Sequence, residues 1–395
     1  MGVERHHDRL RGAGPLKTSL LRWFLTVSLV LLAAAGFAFF PFFESSNESV
    51  GVNTPAWDLI IRPGSEIYPS YVIAAATRVP LASDTATDSA WLSPPASGVT
   101  RVGDPESLIG VRLSGVPALA TVKVLITSRT IMDESVLETT LASSSQPYFL
   151  TPKTLWNYTF LAGVQQIVPV DVSAEVFLDG KSLGKKTKTV KLRPINDCPY
   201  SFEDEYGSQN FWWMFAAYVN ENHPWVDSVL KEAFQQKLLT QFDDYQSGDP
   251  KEVFRQVYAI WHVLHGKGLR YSSIINATTI SETSGSQHVR FLDESMNSSQ
   301  ANCVDGSVLL ASILGKIGID CFLVMTPTHM FIGFYLDADH ATMRFLETTQ
   351  IGLPEDDQEP VEDPELIHFF GDEFADQASW KNFHEAISQG RAAWA

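Results

Sequence analysis

The stretch from Gln300 to Thr349, QANCVDGSVLLASILGKIGIDCFLVMTPTHMFIGFYLDADHATMRFLETT, decides how this chain is read. Cys303 opens an apolar run that reads as a helix over Cys303–Ile317, with Gly318 as its stop. Three strands are predicted after it, at Cys321–Met325, His329–Leu336 and Thr342–Thr349. A thiol at a helix start meets the positive end of the helix dipole and unpaired backbone N–H groups, and both favour the thiolate that attacks carbonyl carbon. The same N–H groups are candidates to hold the resulting oxyanion. His329 stands 26 residues on, at the start of a strand, as candidate base, and Glu347 near the end of the next strand. If the turn between these strands centres on Asp337, Ala338 or Asp339, position 329 pairs with 345, 347 or 349. Each register leaves His329 and Glu347 on one face, ~5–8 Å apart; a turn centred between two residues separates them.

Working toward the N-terminus, the periodicity is helical. Val226, Val229, Leu230, Ala233, Phe234 and Leu238 form one stripe. Asp249 as cap, Pro250 at the first helical position and Glu252 announce a second helix, with Val253, Val257, Trp261 and Leu264 buried and Gly266 and Gly268 at its end. Ser272–Asn302 reads as a polar loop. Helices followed by an antiparallel meander make an α+β domain over 195–352.

Before Pro194 the period changes to two. Val122, Val124 and Ile126 alternate with polar neighbours, as do Val170, Val172, Ala174, Val176 and Leu178. Asp179-Gly180 marks a hairpin turn into a lysine-rich return strand ending near Arg193. With Trp57–Arg62, Tyr71–Arg78 and Leu108–Leu113 added, the economical architecture for 57–194 is a β-sandwich, joined to what precedes it by a linker at 44–56. No catalytic cluster lies in that part. Residues 82–106 read as a long loop, and 353–395 as an acidic C-terminal segment in which Leu366, Ile367, Phe369, Phe370 and Phe374 suggest partial docking.

Trp23–Phe43 carries no charge over 21 residues, enough for a helix to span a ~30 Å hydrocarbon core. Residues 1–22 hold five basic and two acidic groups. The reading is a basic cytoplasmic tail, a single transmembrane helix at 23–43, and the bulk of the chain on the periplasmic side of a bacterial inner membrane. A signal peptide cleaved near Ala33 and Ala35 is the competing reading.

The chain has 395 residues, 45% hydrophobic and 19% charged, which excludes disordered and collagen-like classes. Its net charge of −17 excludes a nucleic-acid partner. The three cysteines form neither a disulfide scaffold nor a zinc motif; Cys198 and Cys321 remain open as a pair. His262 and His265 lie one helical turn apart without a third ligand, so no metal or cofactor is expected.

Asn302-Cys-Val-Asp-Gly-Ser, Thr326-Pro-Thr-His329-Met-Phe and Phe345-Leu-Glu347-Thr-Thr, with Leu269-Arg-Tyr271 before them, resemble bacterial transglutaminase-like proteins of the papain-like superfamily. The resemblance covers about residues 200–350. It implies a Cys–His–Asp triad performing thiol acyl transfer, in which Cys303 is the nucleophile, His329 the base, and Glu347 stands where Asp is usual. Gln300 or Trp261 is a candidate to assist the oxyanion. The expected substrate is a protein or cell-wall peptide, with hydrolysis or cross-linking as the outcome. The alternative is a catalytically silent transglutaminase-like scaffold whose β-sandwich engages a partner.

Overall fold

A polar seam and two buried helices organise the part of the chain that the computed structural model describes, residues 54–77, 98–142, 146–204, 207–272, 278–280, 283–353 and 361–395. Strands β1 (Ala56–Ile61), β2 (Glu66–Ile67), β3 (Thr100–Gly103), β4 (Ile109–Ser114), β5 (Thr121–Ser128), β6 (Met132–Thr140), β7 (Tyr148–Thr151), β8 (Val168–Leu178) and β9 (Lys181–Leu192) build the N-terminal half. They form a four-stranded sheet in the order β1-β4-β7-β3 and a five-stranded sheet in the order β2-β9-β8-β5-β6. The alternating residues explain the inner faces: Val122, Val124 and Ile126 of β5 and Val170, Val172, Ala174 and Val176 of β8 are buried. Asp179 and Gly180 both take positive φ, which matches the right-handed twist of the β8–β9 hairpin they close.

Two short helices belong to this half, α1 (Pro69–Thr77) and α2 (Tyr158–Ala162). Of the expected strand Tyr71–Arg78, the described residues Tyr71–Thr77 belong instead to helix α1. Pro69 suits a first helical turn and the alanine run Ala74–Ala76 has high helix propensity, so the local preference outweighs the short apolar run.

The C-terminal half begins with a sheet rather than a helix: β10 (Asp197–Asp204) and β11 (Gly207–Asn210) precede α3 (Pro224–Gln235) and α4 (Pro250–Gly266). Asp249 caps α4 through a bond from the Lys251 N–H, and Pro250 occupies its first turn. After β12 (Arg270–Tyr271), the supposed polar loop holds β13 (Thr278–Ile280), β14 (Ser284–His288), α5 (Leu292–Ser298) and β15 (Gln300–Ala301). β14 pairs with β10, and that central pair is flanked by β11 and β13. Serine, threonine and glycine conceal these strands from any period-two reading. Helix α6 (Cys303–Lys316) then leads into β16 (Cys321–Met325), β17 (Met330–Tyr335) and β18 (Met343–Leu346), an antiparallel meander in that order.

The described part of the acidic segment, 361–395, is docked. Asp363 caps α7 (Pro364–Phe370), Glu365 pairs with Arg344, and Glu373 pairs with Arg255. Helix α8 (Ala378–Trp394) buries Trp380, Phe383, Ala386 and Ile387. It crosses β18 so closely that a Cβ on Gly390 would come within 2.7 Å of the Phe345 carbonyl carbon. Only glycine permits that approach.

The expected transmembrane helix at Trp23–Phe43, with the tail before it, lies outside the described residues. Among the described residues, no helix is long and apolar enough to cross a membrane. The apolar α6 has 14 residues, ~21 Å against a ~30 Å core, and the longer α4 carries charges in its first turns. The described residues therefore give no support to the expectations of a membrane-anchored fold and of an inner-membrane, periplasm-facing location. The described chain is a mixed α and β structure with several sheets.

Candidate active site

Helix α6 starts at Cys303 because Asn302 and Asp305 build a reciprocal cap. Asn302 Oδ1 accepts from the Val304 and Asp305 N–H groups (both 2.9 Å), and Asp305 Oδ2 accepts from the Asn302 N–H (3.0 Å). Arg290 completes the clamp: its backbone N–H donates to Asp305 Oδ1 and its Nη1 to Oδ2, each at 2.8 Å. Burial raises the Asp305 pKa, opposed by the bonds from Asn302 and Arg290. A fully buried carboxyl with three donors fixes the backbone on which the half-buried Cys303 sits. Gly306 lets Thr348 approach the same turn, since a Cβ there would lie 3.1 Å from the Thr348 Cβ.

The structure brings His329 and Glu347 to that helix tip. β17 and β18 pair Ile332 with Leu346 and Tyr335 with Met343, a register centred on Asp339 that sets 329 opposite 349 and leaves 329 and 347 on one face. His329 Nε2 meets Glu347 Oε2 at 2.6 Å, and Cys303 acts on the protonation of the same imidazole. Glu347 Oε1 is held by the Thr349 N–H (3.0 Å) and hydroxyl (2.6 Å), and the Glu347 N–H donates to Ala386 O of α8 (2.9 Å). The extra methylene of Glu is therefore taken up within reach of the imidazole, and the second oxygen is oriented by Thr349.

The electrostatics favour an imidazolium. The Cys303 bond first, then the Glu347 bond, push the His329 pKa up to about 10 against the opposing effect of burial. Burial alone would raise the Glu347 pKa; the bonds from His329 and Thr349 hold it below the usual carboxylate range. The Glu347 side chain is 6% exposed and that of His329 31%, so the pair is anchored on the inside and open on the outside. Tyr271, 37% exposed, borders the site, and its pKa is raised by burial and by Cys303 and Glu347.

Other expected residues lie elsewhere or have other partners. Gln300 sits in β15, three residues before the thiol and paired with Arg270 of β12; its carboxamide has no hydrogen-bond partner among the described residues. Trp261 is fully buried and donates its indole N–H to Asn382 Oδ1 at 3.0 Å, so it is a core residue between α4 and α8 and cannot assist an oxyanion. Two of the helix-tip N–H groups considered for the oxyanion are occupied by Asn302, which leaves the Cys303 N–H as the donor of that turn with no acceptor among the described residues. Cys198 and Cys321 are separate free thiols; burial pushes Cys198 well up and Cys321 to about 12. His262 bonds Ser379 through Nδ1 at 2.7 Å and serves the α4–α8 contact.

Sequence reasoning missed Asn302, Asp305, Arg290 and Thr349. The first two were available as an N-cap residue with an acidic partner three positions on, the pattern that located α4. Arg290 and Thr349 carried no such signal. No protein-family model matches this chain, and no curated protein matches it in sequence.

Proposed function

We propose that this protein is a transglutaminase-like thiol acyl-transfer enzyme acting on carboxamide or peptide bonds. The observation that carries this reading is a half-exposed imidazole bonded to Glu347 and driven toward its protonated form by Cys303 as well as by that carboxylate. The Cys303 sulfur attacks the carbonyl carbon, forming a C–S bond while the carbonyl oxygen takes up negative charge. The Cys303 N–H and the Gln300 carboxamide are the candidate donors to that oxygen. The C–N bond then breaks, and the His329 imidazolium gives its proton to the leaving nitrogen. In the second half-reaction His329 removes a proton from water or an amine, which attacks the thioester and releases the thiolate. Glu347 keeps the ring oriented and favours its protonated form throughout, the role a carboxylate plays beside a catalytic histidine.

Labelling with iodoacetamide, followed by mapping of the modified cysteine, tests the reading. Cys303 is expected to carry the label and, with a glutamine-containing peptide, a hydroxylamine-sensitive acyl group. An unmodified Cys303 in folded protein, or equal modification of Cys198 and Cys321, would count against it.

A further inference from the structure

β16 is an edge strand with an unusual composition. Among the described residues it pairs only with β17, and its sequence, Cys-Phe-Leu-Val-Met over Cys321–Met325, contains none of the charges or prolines that normally protect a free edge. The pairing shows which backbone groups are unused. Tyr335 N–H donates to Asp320 O and Thr326 N–H to His329 O, at 3.0 and 2.9 Å. With Leu323 opposite Ile332, positions 320, 322, 324 and 326 make the bonds to β17. The N–H and C=O of Cys321, Leu323 and Met325 therefore point away from the sheet.

They point into a groove of about 620 Å³ bounded by α6 and by the 3₁₀ turn Trp212–Tyr218. Trp212, 44% exposed, and Trp213 form its aromatic wall, facing Leu323 and Met325. On α6 the groove is lined by Ala311 and Gly315, and Met325 marks its end nearer Cys303. Cys321 Sγ lies against Ala311 O of α6, at 3.8 Å, and β16 returns antiparallel to that helix. Four strand residues cover ~14 Å, as do about nine helical residues, so Met325 reaches the level of the first turn of α6, where Cys303 sits. The opposite end is acidic, with Glu221 and Asp320 at the mouth.

We infer that this groove is the acyl-donor cleft and that the substrate is an extended peptide which adds as a strand to the free edge of β16. The substrate places an apolar side chain between Trp213 and Leu323 and a basic side chain near Glu221 and Asp320, several residues from the carbonyl that Cys303 attacks. Main-chain bonds supply affinity and the alternate side chains supply selection, as in other strand-addition complexes. This assignment rests on the thiol acyl-transfer reading for its chemistry, and on the unpaired edge and the charge at one end for its geometry.

The test measures fluorescence anisotropy of the full chain carrying Cys303→Ala, with acetylated octapeptides alternating leucine and threonine and bearing one arginine at either end. N-methylation of every second peptide amide is made in both phases. One phase is expected to weaken binding by roughly ten-fold or more, because it removes the donors facing β16, and the other to leave it within about two-fold. Leu323→Pro, which removes an outward N–H not used by β17, is expected to match the disruptive phase, and Glu221→Lys to reverse the preference from arginine to glutamate. Equal binding in both phases, or no binding, overturns the assignment. Iodoacetamide labelling of wild-type Cys303 is measured alongside. Normal labelling without phase-dependent binding removes the groove and keeps the thiol chemistry, whereas phase-dependent binding without labelling keeps the groove and removes the thiol chemistry.

Discussion

Two buried polar clusters can be compared within this molecule, one at the seam between its halves and one at the tip of α6. At the seam, Glu66 Oε2 accepts from Tyr68 (3.0 Å) and Ser284 (3.1 Å), and Arg193 reaches Asp197 at 2.7 Å. The Glu66 and Arg193 side chains are 5% and 6% exposed. At the helix tip, Asp305, Arg290 and Glu347 are equally sealed, yet Cys303 and His329 reach the surface. Both clusters bear the desolvation of charge and offset it with matched partners. The difference is access: the seam closes on itself and joins two halves, whereas the tip keeps a nucleophile and a proton carrier at its open side.

The sharpest way to break that contrast is Cys303→Ala. It is expected to lower acyl transfer by at least about 10⁴-fold, while stability, read by urea denaturation, stays within about 1 kcal/mol. Comparable stability loss and activity loss would make the tip a structural cluster like the seam.

Glu347→Gln comes next, with an expected fall of about 10²–10⁴-fold in kcat/KM. It also moves the pH behaviour. The His329 pKa is raised from 6.5 to about 10, so its contribution to stability is complete below 6.5 and is lost as pH rises through about 10. The Glu347 pKa is lowered from 4.5, so its contribution is present above that value and is lost as pH falls through the lowered one. Thermal melts across pH are expected to show the alkaline loss of the wild type shifting to lower pH in Glu347→Gln.

Arg193→Ala tests the other side. Removing the guanidinium that bonds the buried Asp197, while Lys191 still lies 3.8 Å from Glu66, is expected to cost about 3 kcal/mol, with kcat per folded molecule unchanged. Denaturant melts with active-site titration separate the two quantities. The smallest expected effect is that of Asn302→Ala, about 1 kcal/mol from the lost cap together with a modest loss of rate, because Val304 and Asp305 lose their acceptor.

The extent to which the sequence was legible follows the range of the interactions involved. Helix α4 was readable from a cap, a first-turn proline and an apolar stripe, α6 from its apolar run and the Gly318 stop, and β5 and β8 because side chains alternate with period two. β13 and β14 were hidden, since their threonines, serines and glycines show no alternation. α1 was misread because a short apolar run serves a helix as well as a strand. Trp261 illustrates the same limit at the site: an indole donor is recognisable by type, but the position of Asn382, 121 residues away, decides where it is spent.

By itself the sequence determined residue chemistry and local period: a thiol at a helix start, a histidine and a carboxylate on successive strands, and a parity that allows them one face. The tertiary structure decided which of the permitted hairpin registers is used, and that Arg290, Asp305 and Thr349 hold the three groups in place. It also decided that the edge of β16 faces a groove rather than another strand. The physical reason is that capping and alternation act within a few residues, whereas charge pairing, burial and edge exposure depend on segments distant in sequence that meet only when the core has formed.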